Sequence, residues 1–267
     1  MAARHHSRAF LCLGYSFLSD SQKVAAHGLF SKLFRAYEGS FDDGKRTVHF
    51  CGRFITVPLR RESAWLDWDM ALSLLGHDPD LTDFSAYLLN KARPRLVLDI
   101  GANYGQFSIR WLLHDVRTIS FEPNPNCHPY FQMFCLKNRV RCEIEPVALG
   151  SSEGTATLFF SPREEWLGTI CDHTRVFARH IEVRQRTLDR YVEEHHLKPD
   201  VLKIDAEGSD LAILQGALGT IAKHRPLILF ESLDHGERSK FYDVLKSTAY
   251  AASACCLWQM GCLAYSI

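Results

Sequence analysis

The sequence predicts an α/β fold, a doubly wound, mostly parallel sheet with helices on both faces and an N-terminal extension. Two observations carry that expectation. From Arg95 onward, short and uniformly apolar runs alternate with helix-patterned stretches, as buried parallel strands joined by helical crossovers do. The first of those runs, Leu96-Val97-Leu98, ends in a carboxylate at Asp99 and passes into a glycine turn, Gly101-Ala102-Asn103-Tyr104-Gly105, before Phe107, Ile109, Trp111 and Leu112 begin an apolar helix face. At 267 residues the chain is long enough for one large domain of this kind with an appended segment.

Along the chain, residues up to about 45 read as a helical lead, with Leu29, Phe30, Leu33 and Phe34 on one face. Residues 47–59 alternate around Gly52 as a hairpin would. Residues 63–92 read as helix, with Trp65, Trp68, Leu72 and Leu75 at helical spacing and suited to packing. The domain organisation expected is an extension over 1–80 and a main domain over 81–267. In the main domain, residues 117–123 are a second strand, 140–150 a third and 154–160 a β excursion. The segment from 161 to about 186 is expected as an insertion, followed by a helix over 187–197. Residues 201–208 give a fourth strand, 209–223 its helix and 226–232 a fifth strand, with an edge hairpin near the end.

Lys plus Arg and Asp plus Glu number 31 each, so no basic excess exists to neutralise nucleic-acid phosphates, and a nucleic-acid partner is not expected. The nine cysteines are an odd set with no CxxC pair, which fits neither a disulfide framework nor a zinc site. Reduced thiols in a cytoplasm are the simpler expectation, and no bound metal is expected. The apolar start RAFLCLGYSFL is broken by Gly14, Tyr15 and Ser16, and no window reaches the length of a membrane span.

The glycine turn separates two ligand classes. A nicotinamide dinucleotide would prefer G-x-G-x-x-G, whose second glycine lets backbone touch a pyrophosphate. Here Asn103 occupies that position behind a strand-ending aspartate, which better suits the ammonium of an amino acid end. Glu122 closes the second strand, where a carboxylate accepts both hydrogen bonds of a ribose diol. An adenosyl amino acid fits both ends.

Taken together, VLDIGANYGQFS, ISFEPNP, EPVALG with GTATLFF, TLDRYV, KIDAEGSDLAILQGA and LILFES resemble, in the same order, the FkbM-type methyltransferases, over roughly residues 80–231. The resemblance implies a class I methyltransferase (Rossmann-like) fold, S-adenosylmethionine as cofactor, and O-methylation of a hydroxyl on a sugar, glycan or other small molecule. It places Asp99, Gly101, Ala102, Asn103 and Gly105 at the methionine part, Glu122 with Pro123 at the ribose, and Val147 with Ala148 against the adenine.

For the acceptor side, Asp205 and Glu207 of KIDAEG stand at the ligand edge of the fourth strand and Glu231 ends the fifth. Ser209 is a candidate cap for the helix that follows. His173 and Trp166 sit in the insertion, where loops commonly carry substrate contacts. Any of Asp205, Glu207, Glu231 and His173 is chemically able to take a proton from an acceptor hydroxyl. His195 and His196 read as the polar last turn of a helix, and Asn124-Pro125 as a turn and helix start. The rival functions are a nicotinamide-dependent reductase on a similar sheet and a cofactor-binding module without turnover.

Overall fold

The computed structural model describes residues 43–61, 63–74, 79–161, 164–169, 179–206, 208–230, 235–246, 248, 250–253 and 262–266, with scattered positions between 14 and 32. The helical lead expected before residue 45 lies largely outside them. The chain divides into two units, one of residues 1–92 with 133–140 and one of 93–132 with 141–267.

In the first unit, β1 (Gly44–Phe50) and β2 (Arg53–Leu59) form an antiparallel hairpin, as the alternation predicts. Cys51 and Gly52 both take positive φ, 46° and 79°, which is what a two-residue turn matched to strand twist requires. The stretch expected as one helix is two: α1 (Ala64–Leu72) and α2 (Pro79–Lys91). Pro79 accounts for the second start, since its fixed φ and missing N–H suit a first helical position and disfavour helix in the residue before it. Asn138 extends the hairpin with a side chain: its Oδ1 accepts from the Thr56 N–H at 2.7 Å and its Nδ2 donates to the Thr56 carbonyl at 2.9 Å.

The second unit is built on a sheet of seven strands. After β3 (Leu96–Ile100), α3 (Ser108–Leu112) leads to β4 (Arg117–Phe121), and α4 (His128–Lys137), which crosses the unit division, leads to β5 (Glu143–Glu145). The chain then runs through β6 (Ala148–Leu149), β7 (Gly154–Ser161), β8 (Glu164–Thr169), β9 (Arg179–Arg186) and α5 (Leu188–Glu194) to β10 (Val201–Ile204). Helices α6 (Asp210–Gln215) and α7 (Leu218–His224), β11 (Leu227–Phe230), α8 (His235–Lys246), β12 (Tyr250–Ser253) and β13 (Cys262–Ser266) complete it.

The strand order is β12-β13-β11-β10-β3-β4-β5, with β11, β10, β3, β4 and β5 mutually parallel and β13 antiparallel to both its neighbours. All five residues of β3 and all four of β10 are buried, which is why both are apolar apart from Asp99 and Lys203. From β3 the chain moves to β4 and β5 on one side, and only later adds β10 and β11 on the other. With right-handed crossovers the two sets of helices cover opposite faces, and the reversal falls between β3 and β10. This is the doubly wound α/β architecture of class I methyltransferases.

Three local expectations change. Residues 140–150 are not one strand: Pro146, which has no N–H for a ladder, separates β5 in the large sheet from β6 in a second sheet. That second sheet, ordered β6-β9-β7-β8, takes up much of the segment read as an insertion. The signal was present in RHIEVRQR, whose alternating burial is that of a strand with one wet face. The helix expected over 209–223 breaks into α6 and α7 at Gly216, where a Cβ would stand 2.0 Å from the Gly150 carbonyl oxygen.

Candidate active site at the strand ends

The turn after β3 owes its shape to three left-handed residues, Gly101 (φ 74°), Asn103 (φ 50°) and Gly105 (φ 81°). Each glycine has a steric reason. A Cβ on Gly101 would lie 1.8 Å from the Asp205 carbonyl oxygen, and one on Gly105 would lie 2.2 Å from the Phe131 ring. Asn103 needs no glycine because asparagine tolerates this backbone region. The N–H groups of Gly101 and Ala102 both donate to the Phe121 carbonyl, at 3.0 and 3.1 Å, which ties the turn to the end of β4.

Glu122 lies just beyond that end and is 7% exposed. Its Oε2 accepts the Asn103 N–H at 2.6 Å and its Oε1 the Asn124 N–H at 2.8 Å, while its carbonyl pairs with His128 Nε2 at 2.7 Å. Burial pushes the Glu122 carboxyl up to about 7, against the pull of those two N–H groups. Beside it the Cys127 thiol is also pushed up, first by burial and then by the Glu122 charge. Asn124 takes the Asn126 N–H on its side-chain oxygen at 3.0 Å, the turn its sequence position suggests.

Asp99 is 0% exposed. Its Oδ2 accepts from Ser108 Oγ at 2.6 Å, and Ser108 Oγ is 2.8 Å from Ser120 Oγ. With the single Ser108 proton committed to Asp99, Ser120 is the donor of the second bond. The other Asp99 oxygen is 3.3 Å from Lys203 Nζ. Lys203 also donates to the Gly101 carbonyl at 2.9 Å and lies 3.3 Å from Asp205 Oδ2. Burial pulls the Lys203 ammonium down, but Asp205 and Asp99 together outweigh it and hold the group above its ordinary value.

Asp205 stands at the mouth of this arrangement with its side chain 40% exposed. Its N–H donates to the Ile100 carbonyl at 3.1 Å, extending the β3–β10 ladder by one residue. The next turn is held by Asp210, whose carboxylate accepts the N–H groups of Ala206 (2.8 Å) and Gly208 (3.2 Å) and is pushed up by burial. Ser209, expected as the helix cap, makes no side-chain cap bond. The neighbouring carboxylate has taken the loop amides instead.

The structure thus gathers Asp99, the turn 101–105, Glu122 and Asp205 around the ends of three adjacent strands. Pro123 is half-buried there; Val147 and Ala148 are buried at 7% and 2% exposure, Ala148 as the first residue of β6. Glu207, Glu231, His173 and the side chain of Trp166 lie outside the described residues. His195 closes its helix as expected, with Nδ1 at 2.9 Å from the Tyr191 carbonyl and its ring stacked on Tyr191. Lys203, Ser108 and Asp210 are the residues the sequence reading did not assign. For Lys203 a signal existed, since it shares a face with Asp205 two residues on. Among the described residues no cluster of His, Cys, Asp and Glu could hold a metal ion, and no helix is long and apolar enough to cross a membrane.

The family model described as the methyltransferase FkbM domain matches residues 99–249. Curated proteins give no match. Among solved structures, the methyltransferase FkbM from Methylobacillus flagellatus is similar at 14% identity and a TM-score of 0.46, over 76% of this chain and 54% of that one. A precorrin-6y C5,15-methyltransferase from Geobacter metallireducens is similar at 13% identity and a TM-score of 0.43, over 70% and 88%. A 16S rRNA methyltransferase from T. thermophilus, solved with AdoMet and guanosine, is similar at 12% identity and a TM-score of 0.48, over 84% and 50%. The chain thus spans about half the length of the first and third of these proteins.

Proposed function

Because the chain belongs to the FkbM methyltransferase family, we propose that it moves a methyl group from S-adenosylmethionine to a hydroxyl of a sugar, glycan or other small molecule. The observation that carries this reading is the charge at the strand ends. Among the described residues Asp99, Glu122 and Asp205 converge there against one ammonium, Lys203, so the site holds an acidic surplus. That surplus suits a ligand bearing a sulfonium and an ammonium and repels the pyrophosphate of a dinucleotide. Glu122 adds the donor-set chemistry: each of its oxygens has accepted one backbone N–H and keeps a lone pair for one hydroxyl of a ribose diol.

When bound, the cofactor supplies an electrophilic methyl group on sulfur. The chain's own work is positional and electrostatic. Asp99 and the turn 101–105 support the amino acid end, Glu122 with Pro123 holds the ribose, and Val147 with Ala148 offers apolar surface to the base. Asp205, exposed beside this seat, takes the proton from the acceptor hydroxyl as its oxygen attacks in line with the carbon–sulfur bond. Glu207, Glu231 and His173 are the other candidates for that proton. Holding acceptor and methyl at reacting distance supplies much of the acceleration. With Cys51, Cys127, Cys135 and Cys142 free among the described residues, we place the reaction in a cytoplasm.

Two measurements test this. Calorimetry is expected to show S-adenosylhomocysteine binding and no comparable binding of NAD; preference for NAD overturns the reading in favour of a reductase. Incubation with S-adenosylmethionine and a library of hydroxylated acceptors is expected to release S-adenosylhomocysteine. Binding without release for every acceptor class, nucleic acids included, would leave a cofactor-binding module in place of an enzyme.

A further inference from the structure

Lys203 neither seats the cofactor nor takes the acceptor's proton in the scheme above, yet its ammonium sits at the junction of both parts. Its side chain is 10% exposed, and its Nζ faces four acceptors: the Gly101 carbonyl at 2.9 Å, Asp99 Oδ1 at 3.3 Å, Asp205 Oδ2 at 3.3 Å and the Ile100 carbonyl at 3.5 Å. An ammonium has three N–H groups to share among these four acceptors, and the two carboxylates meet it as ion pairs. They belong to different parts of the site. Gly101 begins the turn, Asp99 backs it from the interior, and Asp205 is the exposed carboxylate just beyond the neighbouring strand.

We propose that Lys203 is a positioning residue that fixes the glycine turn after β3 and the Asp205 carboxylate just beyond β10 in one arrangement, so that the cofactor's seat and the proton acceptor are set by one group. This rests on the methyl-transfer reading. The backbone alone fixes only the main chain here, through the Asp205 N–H to Ile100 and the close approach of Gly101 to the Asp205 carbonyl. A partly exposed aspartate side chain is free to change rotamer unless something holds it. With Oδ2 on the ammonium, Oδ1 is the oxygen left for the acceptor. The parallel register makes this possible: Lys203 and Asp99 are paired across β10 and β3, and Asp205 is on the same face as Lys203.

Removing Lys203 alone would strand Asp99 as an unpaired buried charge and is expected to compromise folding. The test therefore compares Asp99→Asn with the double variant Asp99→Asn, Lys203→Met, in which the buried pair is neutral. A second variant, Lys203→Arg, retains the charge but spreads its donors over a planar fork that does not match these acceptors. Two readouts need no ligand. In protein labelled with carboxyl-¹³C aspartate, the Asp205 resonance, assigned by its loss in Asp205→Asn, is expected to move in the double variant and in Lys203→Arg but not in Asp99→Asn. Amide exchange at 101–105 is expected to rise at least about tenfold in the same two variants, while the central residues of β4 keep their protection. S-adenosylhomocysteine affinity is expected to fall about tenfold from the single to the double variant. An Asp205 resonance and turn exchange unchanged by loss of the ammonium overturn the inference whatever the protein binds. Failure of the parent protein to bind S-adenosylhomocysteine overturns the methyl-transfer reading instead.

Discussion

The ends of β3 and β10 and the end of β4 are neighbours in one sheet and both bury carboxylate, yet they handle charge in opposite ways. At the β3–β10 end, Asp99 and Asp205 share the Lys203 ammonium. At the β4 end, among the described residues, Glu122 is met by the backbone N–H groups of Asn103 and Asn124. A full counter-ion meets a buried charge with a charge, whereas two amide dipoles compensate it in part. The carboxyl at the β4 end is accordingly pushed up to about 7 by burial, while Lys203 is held above its ordinary value. One end is locked electrostatically and the other is poised to titrate. The consequence for stability has a definite sign. Because its folded value is raised, Glu122 holds its proton more firmly in the folded chain, so its effect is most favourable below the ordinary value of 4.5 and is lost as pH rises through about 7.

Breaking the locked end should give the largest effects. Gly101→Ala places a Cβ against the Asp205 carbonyl at a backbone angle that side chains rarely adopt, and is expected to cost about 3 to 4 kcal/mol in chemical denaturation. A variant as stable as the parent would show that the turn and β10 are not in contact. Next, Asp205→Asn keeps size and hydrogen-bonding capacity while removing the charge. Turnover is expected to fall at least about a hundredfold, with S-adenosylhomocysteine affinity within about tenfold of the parent. Normal turnover moves the proton-taking role to Glu207, Glu231 or His173.

The poised end is sharpened by smaller perturbations. Glu122→Gln turns an amide nitrogen toward one of the two N–H groups that now donate to the carboxylate, and is expected to weaken S-adenosylhomocysteine binding by about tenfold. In the parent, diol hydroxyls favour the ionised carboxylate, so affinity should rise with pH up to about 7 and level off above it. Calorimetry in buffers of differing ionisation enthalpy should then detect proton release at pH 6 and little at pH 8.5. Equal affinity at both pH values, with no proton release, would place the diol elsewhere. The groups that bear on Glu122 besides its amides are the Lys203 and Asp99 charges, the Cys127 thiol and the His128 ring at its carbonyl. The smallest effect expected is none: since an ammonium already occupies Asp205 Oδ2, a chelator should leave turnover unchanged, and loss restored by magnesium would refute that.

The locked end was half legible in the sequence. LVLDIG and KID each show a buried strand ending in an acid, and the spacing of Lys203 and Asp205 puts them on one face. That Lys203 meets Asp99 is set by the parallel register of β10 against β3, a tertiary fact that no local pattern records. The poised end was legible only as a carboxylate at a strand end. Its bond to Asn103 depends on that residue's left-handed backbone, which asparagine permits but does not announce. The second sheet was missed for a related reason: Pro146 splits an apparently continuous strand, and β6 pairs with β9 across a long stretch of chain.

The buried ammonium of Lys203 also bears on how the sheet is assembled. β10 is only four residues, VLKI, three of them aliphatic and all of them buried, so hydrophobicity alone would stabilise it almost equally in several alignments. A slip of one residue sends every side chain to the opposite face. In the native alignment the ammonium arrives beside the Gly101 carbonyl, 102 positions earlier in the chain, and two carboxylates. In a slipped one it would be desolvated without a counter-ion, at a cost that a small apolar gain does not repay. A single lysine in the strand therefore penalises the slipped alignments of β10 relative to the native one.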